Sequence, residues 1–274
     1  MAVMCGRFVA SRPASELAEL LDVAEISAEA PDGTPALDDA LQGAPPSWNV
    51  APQAAVWAVT AKQDDAGSLY RRMRRYHWGL VPSWSAGPSS GARAFNARAE
   101  SIFDNRMFAT ALERRRCIVP ADAFYEWEKT LGTGGRVLRR QPWLFEAPDR
   151  GILAFAGLWE FWRERSARDG EEPRLLRSCT IITSASTGAV ASIHDRMPVL
   201  LPRETWADWL APGALDPAEV SDLLAPAPEE ALVGFTVSQR VNDGRVDDPD
   251  LIEPLDLADA GEQTLFDLGR PAGG

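Results

Sequence analysis

The chain is poor in the residue types that build metal sites and covalent frameworks. Its three cysteines, Cys5, Cys117 and Cys179, show no Cys-x-x-Cys spacing, which excludes a disulfide-framed scaffold. Two histidines, His77 and His194, add no recognisable zinc spacing, so neither a metal nor another cofactor is expected. There is no apolar run of about 18 residues, and the start lacks the charged-then-apolar order of a secretory signal. A soluble, cytoplasmic protein without a membrane partner is the expectation. Lysine is nearly absent, with only Lys62 and Lys129 among 28 basic residues. Together with a formal charge of −12, that scarcity argues against a lysine-coated surface binding nucleic acid indiscriminately.

What is present is ordinary globular composition, 45% hydrophobic and 25% charged over 274 residues, with an uneven charge distribution. Residues 1–203 carry 25 basic and 24 acidic side chains, whereas residues 204–274 carry 3 and 16. The last quarter therefore supplies the acidic excess. Residues 70–117 hold ten arginines against Glu100, Asp104 and Glu113. This stretch reads either as compositional drift or as a source of phosphate contacts, for which arginine is the better residue.

Periodicity predicts a strand at Cys5–Val9, a helix over 13–22 and a long loop over 26–46. Strands are expected at 55–60 and 71–79, then a loop at 85–94 and a helix over 104–116. Further strands fit 117–127, 142–146, 151–159, 178–184 and 233–238, with exposed insertions at 130–136 and 163–173 and short helices at 204–211 and 216–224. Short mixed strands with few helices indicate one α+β domain rather than a βαβ array. From about 243 the chain is acidic and poorly periodic, which reads as a flexible tail.

Several short segments concentrate reactive or rigid residues. In Met4-Cys5-Gly6-Arg7-Phe8, Cys5 would carry an α-amine beside its thiol if the chain began there; as an internal residue it is an ordinary core cysteine. Glu126, in Ala123-Phe124-Tyr125-Glu126-Trp127-Glu128, alternates with aromatics. Desolvation there would raise its pKa and suit it to acid–base work, the alternative being a solvent-facing carboxylate. His194 lies in Ser192-Ile193-His194-Asp195-Arg196-Met197-Pro198. Phe95-Asn96-Ala97-Arg98-Ala99-Glu100, Trp48-Asn49-Val50-Ala51-Pro52 and Trp78-Gly79-Leu80-Val81-Pro82-Ser83-Trp84 complete the set. The ten tryptophans serve either as core filling or as platforms for unstacked bases.

Taken in order, these motifs closely resemble the SRAP family, the SOS-response-associated peptidases, over roughly residues 4–255. The resemblance implies a single compact SRAP-type domain over 5–255, with mixed, mainly antiparallel sheets, a barrel-like core and a few flanking helices. It implies a monomer that captures abasic sites in single-stranded DNA at the nucleoid, through a covalent thiazolidine formed by an N-terminal Cys5. Residues 1–4 would be removed, by self-cleavage or because Met4 is the true start, and 256–274 would be an acidic, flexible tail. The catalytic residues implied are Cys5 as nucleophile, Asn96 orienting its amine, Glu126 for acid–base work and His194 for opening the sugar and reversing the crosslink. Arg7 and Arg98 would grip phosphates, Trp78 and Pro52 would wedge or stack on bases, and Asn49 and Thr183 would line the site. His77 reads as structural or surface.

The main rival is an N-terminal-nucleophile amidohydrolase, which usually uses an Asn-Gly pair for its oxyanion. None of the four asparagines here (49, 96, 105, 242) precedes glycine. A cysteine peptidase with a Cys5–His194 dyad leaves the Arg/Trp surface unexplained, and a non-covalent single-strand binder would not need Cys5. In the tail, Glu262-Gln263-Thr264-Leu265-Phe266 resembles peptides that bind the replication sliding clamp.

Overall fold

The computed structural model describes residues 6–27, 45–132, 136–165 and 173–255. Five strands close on one another: β4 (Ala55–Gln63), β5 (Leu69–Trp78), β7 (Arg116–Ala121), β10 (Leu153–Arg163) and β11 (Leu175–Ala185). The order β11-β10-β7-β4-β5 is antiparallel throughout. A short parallel pairing of Ser178 with His77 and Cys179 with Trp78 joins its ends and removes the free edges. Beyond the ring, β2 (Val23–Ile26) adds to β5, and β6 (Asn96–Arg98) and β12 (Arg196–Pro198) add to β11. A second sheet runs β13-β9-β8-β1-β3, formed by Val233–Thr236, Val137–Glu146, Ala123–Leu131, Phe8–Ala10 and Ser47–Val50. The mixed, mainly antiparallel barrel-like architecture matches the expected class.

Side chains along the barrel strands alternate between two cores, as a period of two requires. Val59, Met73, Ile118, Ala156 and Ile182 pack with the helices α1 (Ala14–Leu20), α2 (Ala109–Arg114), α4 (Trp206–Leu210) and α5 (Pro217–Leu223). The alternate set, including Ala58, Tyr76, Trp78, Val119, Phe155 and Ile181, packs with Phe8, Phe124 and Phe145 of the second sheet. That contact fixes the second sheet against the barrel.

Helices here are short and tied by specific residues. α5 begins with a capping box, in which Asp216 accepts from the Ala218 N–H at 2.9 Å and Glu219 accepts from the Asp216 N–H at 2.8 Å. The helix expected over 104–116 is only α2, because the Asn105 side chain accepts from the Met107 N–H at 3.0 Å and holds the preceding turn outside helical geometry. At its far end Arg116 is buried and donates to Leu112 O at 2.7 Å, Glu113 O at 3.1 Å, Trp209 O at 2.7 Å, Gly213 O at 3.0 Å and Ala211 O. One guanidinium thus satisfies orphan carbonyls at the C-terminal ends of both α2 and α4.

Two expectations are corrected. Within the insertion expected at 130–136, Thr130 and Leu131 continue β8, which pairs with β9 from Ala123–Glu146 to Leu131–Val137. Residues 243–255 are not a tail: Leu251 is fully buried with Val237 and Val241, and Val246 and Ile252 pack against the same cluster. The boundary at 256, residues 1–5 and residues 256–274, including the candidate clamp peptide, lie outside the described residues.

Candidate functional site

A cavity of about 570 Å³ opens where the second sheet meets the loop before β12. Gly6, Arg7, Ala51, Pro52, Glu126 and His194 are among its lining residues. Glu126 reaches it from β8. Its carboxylate is 1% exposed, and Oε1 lies 3.9 Å from His194 Nδ1. The pair lies across 68 residues of sequence and is brought together only by packing.

His194 is held by the turn after α3 (Gly188–Ala191), its N–H donating to Val190 O at 2.9 Å, while Ser186 Oγ donates to its carbonyl at 2.6 Å. Gly188 sits at φ +52°, and a Cβ there would collide with the Glu229 carbonyl, so the turn requires glycine. His194 Nδ1 lies 3.1 Å from the Arg196 N–H and 3.3 Å from the Arg196 carbonyl, so the main chain of Arg196 serves either tautomer of the neutral ring. Asp195 Oδ1 lies 3.3 Å from the same Nδ1. If the ring is protonated, Nδ1–H has carboxylates on two sides to receive it. The site therefore contains a buried carboxylate and an imidazole able to take and return a proton.

Arg7 is bound into this wall. Its Nη1 donates to Asn49 Oδ1 at 2.7 Å and to Val241 O at 2.9 Å, and burial lowers its pKa. Asn49 in turn donates to Val246 O at 2.7 Å and Asp243 O at 3.2 Å. Asn49 thus positions Arg7 and fastens the 241–246 segment, rather than offering a free amide to a ligand.

Two expected contacts sit behind the site. Trp78 is fully buried: its Nε1 donates to Phe95 O at 2.8 Å, and its ring packs edge-on to Phe8 at 5.0 Å. It presents no face to a base, which corrects the stacking expectation. Within the same motif it is Trp84 that is open, at 57% exposure. Thr183 is also fully buried, its carbonyl accepting from Arg196 Nη2 at 2.6 Å. It supports Arg196 and does not line the cavity.

Asn96 and Arg98 project from β6 into a second depression of about 370 Å³, shared with Ser90, Arg93, Asn105 and Phe108. Arg196 links the two places. Its side chain hydrogen-bonds Glu100 at 2.5 and 2.8 Å, and its main chain holds His194. Of the ten expected residues, the structure brings Arg7, Pro52, Glu126 and His194 to one cavity and Asn96 and Arg98 to another. Asn49, Trp78 and Thr183 act as supports, and Cys5 lies outside the described residues. His77 is half-buried on β5, as expected of a structural residue.

The sequence reading missed Trp127, Lys129, Arg140 and Asn242, which also line the first cavity. Trp127 and Lys129 have the same parity on β8, and Arg140 stands opposite Lys129. That alternation was the signal available. The Arg-rich stretch, by contrast, is mostly consumed internally. Arg71 donates to Leu21 O at 2.9 Å, Arg72 lies 3.7 Å from Glu25, Arg75 donates to Ala55 O at 3.0 Å and Arg115 pairs with Glu160 at 3.0 Å.

Among the described residues no group of acidic, histidine and cysteine side chains is arranged to hold a metal, and no helix is long and apolar enough to cross a membrane. A family model described as SOS response associated peptidase (SRAP) matches residues 4–244. The chain is 34% identical over 250 residues to the abasic site processing protein YoqW of Bacillus subtilis, covering 91% of this chain and 99% of that one. It is 30% identical over 244 residues to the abasic site processing protein HMCES of Mus musculus, covering 77% of this chain and 66% of that one. The crystal structure of a protein from Bacteroides thetaiotaomicron matches with a TM-score of 0.71 at 22% identity, over 92% of this chain and 100% of that one, a likeness of fold. With a family model matched over most of its length and relatives at 30–34% identity, the chain belongs to the SRAP family.

Proposed function

We propose that this protein processes abasic sites in single-stranded DNA by covalent capture on Cys5. The observation that carries the reading is that Gly6, to which Cys5 is bonded, lines one cavity with Glu126 and His194. Relatives named abasic site processing proteins support it.

The abasic sugar is mainly a closed hemiacetal, so its ring must open to the aldehyde first, with His194 moving the proton. The neutral α-amine of Cys5 adds to the carbonyl carbon and water leaves, giving an imine. The Cys5 thiol then adds across that C=N bond and its proton passes to nitrogen, closing a five-membered thiazolidine. The two nucleophiles sit on adjacent carbons, which makes closure intramolecular. Glu126 accepts and returns the protons of imine formation. It also serves the hydrolysis of the Met4–Cys5 bond that would free the amine, with one water consumed.

Pro52 and Arg7 shape the entry, and the orienting of the amine is no longer assigned to Asn96, which lines the second depression. The test is a denaturing gel of protein incubated with an abasic single-stranded oligonucleotide, with intact-mass analysis of the protein. The expected result is an adduct that Cys5→Ala abolishes, formed by a chain starting at Cys5. Full crosslinking by a chain retaining residues 1–4, or an undiminished band in the alanine variant, overturns the reading.

A further inference from the structure

Lys129 and Arg140 stand directly opposite each other on the antiparallel pair β8–β9. Both are exposed, and both line the cavity that holds Glu126 and His194. Like charges directly opposite on a ladder are destabilising. Among the described residues neither cation is relieved by an ion pair, and Glu128, the acid next to Lys129, has its carboxylate occupied by the Trp143 indole at 3.0 Å. Arg139, the other cation beside the pair, is engaged with Gln141 at 2.8 Å.

The surroundings define what would fit between them. Glu126 is the one acid among the described lining residues, and Trp127 lies on the same face two positions earlier, its Nε1 held by Asn242 Oδ1 at 2.6 Å. Lys129 is three residues from Glu126, about 10 Å along the strand. A single-charge anion attached to a flat group matches two cations next to an indole.

We propose that Lys129 and Arg140 form a clamp for one backbone phosphate of the single strand, a short distance from the captured sugar, with Trp127 beneath the adjoining base. The clamp rests on the proposed function only in taking the ligand to be a nucleic acid strand. It fixes the direction in which the strand leaves the cavity, along the β8–β9 hairpin.

The experiment measures binding of an undamaged single-stranded oligonucleotide by fluorescence anisotropy across a salt titration, using the full chain. The Lys129→Gln, Arg140→Gln double variant should bind about three- to ten-fold more weakly at low salt. The magnitude of its log–log salt slope should fall by about 0.7, the contribution of one single-strand phosphate. The swap Lys129→Arg, Arg140→Lys should restore both, and Lys62→Gln, far from the cavity in sequence and element, should change neither. Unchanged affinity and slope in the double variant overturn the clamp, as does a lost crosslink with unchanged binding. A parent protein that binds but forms no adduct overturns the proposed function while leaving the clamp testable. The melting temperature should not fall, because the change removes a repulsion, and Lys129→Gln alone provides a second variant with the same readout.

Discussion

Two sets of cations in this protein do opposite things. The arginines of 70–117 are numerous and dense in sequence, yet many of them point at carbonyls, at Glu25 or at Glu160, or lie over the Trp57 and Trp209 rings. The cations of the cavity are few, come from distant positions, and two of them, Lys129 and Arg140, are unpaired among the described residues. Density of positive charge along a chain is thus a poor map of where an anion binds. A guanidinium on a strand that faces helix ends is recruited by orphan carbonyls; one beside an open strand edge stays available. The formal charge of −12 is equally uninformative about the cavity.

Breaking the internal set gives the largest effect. Arg116→Met leaves five carbonyl contacts without a donor, and about 3–5 kcal/mol of stability should be lost in chemical denaturation. Oligonucleotide affinity of the folded fraction should be unchanged; a weaker affinity would move Arg116 into the binding set. The two tryptophans of one motif sharpen the comparison next. Trp78→Ala should cost about 3–5 kcal/mol through its cavity. Trp84→Ala should cost about 0.5 kcal/mol or less in stability, because its ring is largely exposed. Equal stability losses for both would refute the division. The smallest effect is pH-dependent. The Arg196 hydrogen bonds hold the Glu100 carboxyl below its ordinary value of 4.5, so its contribution is fully present above that pH and is lost as pH falls through the lowered value. Glu100 is largely exposed, so the difference in melting temperature between the parent and Glu100→Gln should be small at pH 7 and vanish in strong acid.

Much of the site was legible because its residues come in compact motifs. The strand carrying Glu126 and the segment carrying His194 could each be named from sequence, though their 3.9 Å approach could not. Trp78 and Trp84 were indistinguishable because burial depends on which turn faces Phe8 and Phe95, a tertiary fact. Asn49 looked like a site residue and is one only at one remove, through Arg7. The end of the domain was misread because the acids around Asp247 and Asp248 masked Val246, Leu251 and Ile252, whose spacing buries them against Val241. β2 and β3 are four residues each, at the lower limit of the length over which alternation is readable.

The bond from Arg7 to the Val241 carbonyl spans 234 residues, and Asn242 lines the same cavity as Gly6. During synthesis the first strand emerges long before its partner segment exists. The cavity wall therefore closes only after nearly the whole domain has left the ribosome, and such non-local closure is intrinsically slow. A truncated nascent chain has Gly6 and Arg7 without the wall that completes their cavity.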